Sequence, residues 1–444
     1  MMNRRTLLKA MGASTAAGAW AVATRDAPAA QKRPGRVPFR VLFSNDATNI
    51  LTCTSPYHQK RAPFRPEMLL ASVDETAGTG VEVHLLQPCS TWVPWWQSKV
   101  YPIAEHHAWW RQRFGVEIRN SVHDYLLQGG DLLKDFIGRC RQKGLSPFVS
   151  LRLNDGHHLE HVTKSAADRN QAGNHTLCRF YDEHPEYRIG PDLNNWDQRV
   201  HNWAIPEARA YKMALIREVC QNYDMDGLEL DFMRHPSYFQ LDKTTVEERR
   251  RVMTQFVAEV RAALDTAAPP GRRRYLGVRV PGYLAEHDRL GLHLPALVEA
   301  GVEMVTLSAF YYTVFNMDLA LIRALVPDAA LYVEVTHCTV QGKRITGVGY
   351  DDFTFRRTTP QQFYTAAHQG YARGCDGVSA FNFVYYREHG TEGRGPFNEP
   401  PFEVFRHLGD PAWLARQPQH YLYARGWRVS SLPRRLKAGE TATL

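Results

Sequence analysis

Eight short apolar runs, alternating with helical patterns, are what most narrows the fold of this chain. They span Phe39–Ser44, Val81–Gln87, Ser146–Leu153, Gly227–Phe232, Tyr275–Val280, Glu303–Phe310, Leu331–Thr336 and Gly377–Phe383. Strands separated by helices cannot pair as hairpins, so they must lie parallel and be covered on the outside. Eight such units in strict alternation predict a (β/α)8 barrel over residues 38–400 rather than a doubly wound open sheet. The helices carry their own signals. Thr245 with Glu248 and Thr359 with Gln362 have capping-box spacing. Met253, Phe256, Val257, Val260 and Leu264 form one apolar stripe, and Gly144 and Gly374 stand where helices must stop.

Two connections are too long to be simple turns. Both follow strands, the second and third, and so belong to the C-terminal mouth, where barrel chemistry sits. The first carries Trp92, Trp95, Trp96, Tyr101, His106, His107, Trp109 and Trp110; the second runs from Asp155 to about Asn202. Indole faces suit the apolar C–H faces of sugar rings, so Trp95 and Trp96 are candidate stacking platforms; the alternative is that the cluster packs the loop onto the barrel.

The chain ends differ from the middle. Asn3-Arg4-Arg5-Thr6-Leu7-Leu8-Lys9, a short weakly apolar run and small residues near Ala29 read as a twin-arginine export signal over residues 1–30, with work in the periplasm or outside the cell. The run is too short to span a bilayer. Residues 401–444 form a C-terminal extension: helix-like pieces at Phe402–His407 and Pro411–Ala415, then Trp427 onward, which looks like the opening of a small β domain. The last fifteen residues are expected to be poorly ordered.

Removing the signal takes away four positive and one negative charge, so the net charge of +8 becomes +5. The remaining basic residues are dispersed, which gives little support for nucleic-acid binding and leaves room for an anionic substrate. Seven cysteines without a C-x-x-C pair signal neither a zinc site nor a disulfide framework. No Gly-rich phosphate loop, serine nucleophile elbow or H-E-x-x-H is present, and no cofactor is expected.

In a barrel the helix-covered positions of each strand are apolar and the alternate positions point inward. That rule turns Glu229 and Asp231 inward on strand four, Arg152 and Asn154 on strand three, Arg279 on strand five, and Tyr332, Glu334 and Thr336 on strand seven. It places Asp231 at the mouth, with Glu229 and Arg279 deeper. Five charged groups in one barrel would cost several kcal/mol each if unpartnered. They form either a closed structural network or a site in which Asp231 works with a second carboxylate, Glu334 or Glu229, while Arg152, Arg279 and Asn154 hold a substrate. Asn45 and Asp46 after strand one, Asn382 after strand eight, Tyr312 after strand six and His337 after strand seven are placed for binding or for loop capping. His157, His158 and His161 invite a metal reading, with packing as the plainer one and no metal expected.

One stretch resembles a known family. Trp203-Ala-Ile-Pro-Glu-Ala-Arg, Ile216-Arg-Glu-Val and Tyr223-Asp-Met-Asp-Gly-Leu-Glu-Leu-Asp-Phe-Met-Arg-His-Pro236 look like the glycosyl-hydrolase-like family 10 and its relatives. The resemblance implies a barrel, a glycan substrate, and a key acid at Asp231 with Arg234 beside it. Glu229, acidic where the relatives more often carry an uncharged residue, departs from that pattern. The reading is a glycoside hydrolase; its rivals are a metal-dependent hydrolase or deacetylase and a non-catalytic carbohydrate-binding barrel. The oligomeric state is not legible.

Overall fold

A computed structural model describes residues 37–57, 62–159, 176–340, 355–387 and 399–422 of the chain. The export-signal reading, His161, the β-domain reading and the order of the last fifteen residues lie outside them.

Eight parallel strands close into a barrel. They are β1 (Val41–Asp46), β2 (Val83–Gln87), β3 (Ser146–Arg152), β4 (Gly227–Asp231), β5 (Tyr275–Pro281), β6 (Met304–Ser308), β7 (Ala330–Thr336) and β8 (Gly377–Phe381). Each pairs with its sequence neighbours, and β8 returns to β1. The helices that matter for the site are α1 (Pro66–Asp74), α2 (Pro206–Asn222), α3 (Val246–Ala267) and α4 (Pro360–Ala372). Both expected capping boxes form, at Thr245 and at Thr359. The stripe Met253, Phe256, Val257, Val260 and Leu264 is buried. Gly144 (φ 72°) and Gly374 (φ 95°) take the left-handed turn that ends a helix without a Cβ penalty.

The barrel interior is layered by side-chain chemistry. Its lower part is an apolar plug of Leu42, Val83, Leu85, Phe148, Met304, Ala330 and Tyr332. Gly227 makes room there, because a Cβ at that position would stand 2.3 Å from the Phe148 ring. Above the plug, the inward positions turn polar. A dry floor beneath buried charges weakens their screening and strengthens every contact among them.

Two strands end sooner than their apolar runs do. β6 stops at Ser308 because Phe310 adopts φ 69°, and β8 stops at Phe381 because Asn382 adopts φ 49°. A left-handed residue breaks the ladder, and Asn tolerates it far better than Phe. Phe310 is held there from both sides: its N–H donates to Ser308 Oγ (3.0 Å) and its carbonyl accepts from Arg279 Nη2 (3.1 Å). After Pro400 the helical pieces recur as Phe402–Val404, Phe405–Leu408 and Pro411–Leu414, with Val404, Phe405, Leu408 and Leu414 buried. Phe405 meets Phe43 and Phe383 (5.9 and 4.7 Å), so this piece packs against the outer face of β1 and the end of β8. Among the described residues no helix is long and apolar enough to cross a membrane.

Candidate active site

The five inward charges predicted from alternation are all buried, and three of them, Arg279, Glu334 and Asp231, meet across the barrel. Arg279 is the hub. Its Nε and Nη2 grip both oxygens of Glu334 (2.5 and 2.9 Å), and Nη1 donates to Asp231 Oδ1 (3.1 Å). Nη2 also reaches Ser308 Oγ and the Phe310 carbonyl, and the guanidinium lies 3.8 Å over the Phe381 ring. Arg279 is in register with Asp231. Its side chain reaches the acid across that rung from the neighbouring strand. Burial would lower the arginine, but Glu334 and Asp231 raise it, so the cation is secure.

The two carboxylates bound to Arg279 differ. Glu334 Oε1 accepts from Ser308 Oγ (2.6 Å) as well as Arg279, so both its oxygens are committed. Burial, only partly offset by Arg279, pushes its pKa up. Asp231 Oδ1 accepts the Met233 N–H (2.7 Å) in addition to Arg279, which fixes the carboxylate plane at the strand end. Its Oδ2 accepts no hydrogen bond from the described residues.

Glu229 lies one rung lower, on the strand side facing Ser150 and Gly277. Ser150 Oγ donates to one oxygen (2.8 Å) and Thr306 Oγ1 to the other (3.4 Å). Burial first, then the nearby Asp231 charge, raises its pKa to about 7. A carboxyl raised in this way gives stability that is fully present below its unfolded value of 4.5 and is lost as pH climbs through about 7. The near-isosteric Glu229→Gln keeps the hydroxyl contacts and removes that loss. It is expected to match the wild type near pH 4.5 and to exceed it at pH 8 by at most ~3 kcal/mol, read by urea unfolding at the two pH values.

The rim is built from β1, β3 and the turn after β4. Arg152 Nη2 pairs with Asp46, and Nη1 with Asp155 Oδ2 (3.1 Å). Burial would raise Asp46, but Arg152, the Thr48 N–H and Arg234 hold it below the ordinary range. Arg234 is half-buried, donates to His157 and lies 5.6 Å over the Tyr311 ring. Asp226, at the opposite end of β4, accepts from Arg141 and Arg272 and belongs to the barrel floor.

Several residues expected to bind substrate turn out to be committed to the scaffold. Asn154 donates to the carbonyls of His201 and Ser237 (2.8 Å each) and accepts the His201 N–H, which uses up its amide. Asn45 and Asn382 both accept from Asn49, tying the turn after β1 to the end of β8. Trp95 and Trp96 are 1% and 2% exposed. Trp96 Nε1 donates to Glu218 of α2 (2.9 Å), whose carboxylate also takes Ser98 Oγ and the Lys99 and Val100 N–H groups. The indoles thus pack the loop onto the barrel, and the stacking role gives way, because too little of either ring is left for a sugar. His337 is buried against Tyr385 and Tyr386, and Tyr312 is buried at the end of β6.

Asp155, His157 and His235 are the one group of potential metal donors close enough to share an ion among the described residues. Within this group Asp155 receives Arg152 and His157, His157 Nε2 receives Arg234, and His235 Nδ1 receives the Gly156 N–H (3.0 Å). His158 is buried and stacked on Tyr181, and burial lowers its pKa to about 3. The seven cysteines are buried free thiols. Ser308, Thr306 and Phe381 escaped the sequence reading, although the inward positions of β6 and β8 would have exposed them to the same face argument.

The chain matches no known protein family, so the resemblance drawn from Trp203 to Pro236 has no family match behind it. No curated protein matches it in sequence. Solved structures with a similar fold include alpha-L-fucosidase isoenzyme 2 from Paenibacillus thiaminolyticus, 11% identical over 85% of this chain and 49% of that one, TM-score 0.48. Catalytic domain 2 of the Group II chitinase of Ostrinia furnacalis is 12% identical over 84% of this chain and 96% of its own, TM-score 0.44. An alpha-L-fucosidase from Bacteroides thetaiotaomicron is 11% identical over 85% and 72%, TM-score 0.43. The chain spans 49% of the Paenibacillus fucosidase. These likenesses concern fold alone, and the barrel itself rests on this chain's own strand order.

Proposed function

We propose that this chain is a glycoside hydrolase, exported to the periplasm or beyond, with Asp231 as its essential carboxylate. One observation carries the reading. Asp231 stands at the C-terminal end of β4, clamped at Oδ1 by Arg279 and a backbone N–H, with Oδ2 accepting no hydrogen bond among the described residues. A carboxylate held in one plane with one oxygen uncommitted is what attack on, or charge stabilisation at, an anomeric carbon requires. Glu334 supports it from behind by fixing Arg279, and Arg152, Asp46 and Arg234 form a charged rim suited to hydroxyls or to an anionic sugar.

The test is hydrolysis by the purified chain of a panel of 4-nitrophenyl glycosides and of oligosaccharides, neutral and uronic, read as released phenol and reducing ends. Turnover of at least one sugar is expected, with full activity in chelator. A chelator-sensitive deacylation with no glycoside turnover would instead mark a metal-dependent hydrolase.

A further inference from the structure

Beside the Arg279 cluster, the turns after β3 and β4 assemble a second set of proton-carrying side chains. Asp155 is fully buried. Its Oδ2 takes the Arg152 guanidinium, and its Oδ1 takes both the backbone N–H (3.0 Å) and ring Nδ1 of His157. Burial would raise Asp155, but His157, Arg152 and His235 hold it well below the usual carboxylate range. An acceptor-only carboxylate on Nδ1 assigns that ring nitrogen the proton and leaves Nε2 as the acceptor, where Arg234 Nη2 donates.

His157 is also the member of this set that reaches the edge: its side chain is 16% exposed, against 5% for His235 and 0% for Asp155. His235 is held neutral by burial, and its ring stacks on Trp196 (4.6 Å), itself covered by Arg199 (3.5 Å). His157 meets Trp196 edge-on (5.9 Å). The arrangement is tied to Asp231 on two sides. Arg152, which holds Asp155, is in register with Asp231, and Arg234, which contacts His157, follows Asp231 by three residues. Glu334 has both oxygens engaged and Glu229 lies a rung deeper, so neither can exchange a proton at the mouth without breaking its bonds.

We propose that His157 is the proton-transfer residue that works with Asp231, and that Asp155 is its positioning residue. The proposal rests on the reading of Asp231 as a glycosidase carboxylate. Substrate binding draws Arg234 off Nε2, which takes a proton from solvent. Asp231 Oδ2 attacks the anomeric carbon; the glycosidic C–O bond breaks, its electron pair goes to the departing oxygen, and that oxygen takes the Nε2 proton. Water then attacks the same carbon, returns one proton to Nε2 and releases the Asp231 carboxylate, so one water is consumed per bond. Asp155 stays ionised and faces the imidazolium.

The experiment uses the full-length chain, with the 2,4-dinitrophenyl and methyl glycosides of whichever sugar the panel identifies. His157→Asn should lose at least ~10³-fold in kcat/KM on the methyl glycoside, whose poor leaving group needs the acid, and under ~10-fold on the dinitrophenyl one. On the dinitrophenyl glycoside, whose departure needs no acid, azide should raise the variant's turnover and yield a glycosyl azide, and one limb of its pH profile should vanish. Asp155→Asn should displace that limb with KM unchanged, and should abolish the exchange-protected downfield Nδ1 proton resonance that the substrate-free wild type is expected to show. Equal losses on both glycosides with the pH profile intact would overturn the proposal, as would a His157→Asn enzyme that has lost a bound metal. Full activity of Asp231→Asn would separately overturn the reading of Asp231 as the glycosidase carboxylate.

Discussion

Asp231→Asn is expected to lower kcat by on the order of 10⁴-fold, about 5–6 kcal/mol of transition-state stabilisation, while substrate binding survives. The magnitude follows from what the amide keeps and what it lacks. Its carbonyl oxygen can still accept the Met233 N–H and the Arg279 guanidinium, as Oδ1 does now, so the end of β4 has no reason to move. What disappears is the uncommitted Oδ2, replaced by an NH₂ that has no lone pair for an anomeric carbon and no charge to set against a developing oxocarbenium ion. Thermal melting should therefore change by only a few degrees while turnover collapses. Asp231→Gly in the presence of azide sharpens the test: if Oδ2 is a nucleophile, azide entering the vacated space gives a glycosyl azide of inverted configuration. Unchanged turnover in Asp231→Asn would leave the cluster as a structural network and put the chemistry on other residues; sugar binding by both proteins with turnover by neither would leave the barrel as a carbohydrate-binding module.

How much of this was legible in the sequence depends on whether a residue's partners lie on a regular element. Alternation within β3, β4, β5 and β7 turned Arg152, Glu229, Asp231, Arg279 and Glu334 inward, because in a closed barrel the period of two admits only two faces. Alternation gives a face but not a height. Height depends on the tilt and stagger of the strands, which alternation does not carry. Loop residues are harder. Asn154, Asn45 and Asn382 have the chemistry of ligand contacts and spend it on backbone carbonyls and on Asn49, partners that are distant in sequence and carry no periodic signal. Trp96 looked like a platform because its partner, Glu218, lies more than a hundred residues away on α2. Asp155 and His157 were visible only as a histidine-rich stretch; that one is the ionised anchor of the other depends on Arg152, three residues before Asp155 at the end of β3, and on Arg234 from the turn after β4.

Arg279→Met should be the most destabilising single change in the barrel, by ~3–5 kcal/mol at pH 8, because it strands Glu334 in a site that is 1% exposed. The thioether fills much of the volume and can lie on the Phe381 ring, so the cost is electrostatic rather than a cavity. It also removes the Arg279 bond to the carbonyl of the left-handed Phe310. The electrostatic part has a pH signature. Burial already raises Glu334 with Arg279 present, and without the guanidinium its folded pKa must rise further above the unfolded 4.5. Stability tied to a raised carboxyl is retained at low pH and lost as pH rises through the folded value. The deficit relative to wild type should therefore shrink between pH 8 and pH 5, where Glu334 can take up a proton and donate to Ser308. Glu334→Gln added to Arg279→Met should recover most of the pH 8 deficit, since it removes the stranded charge while keeping a group that can bond Ser308 Oγ. Equilibrium urea unfolding of the four species at the two pH values gives the coupling directly. A deficit that is the same at both pH values and untouched by the second substitution would mean that Arg279 acts through the Phe310 turn and its packing on Phe381, and that the Glu334 charge is not what the arginine is there to hold.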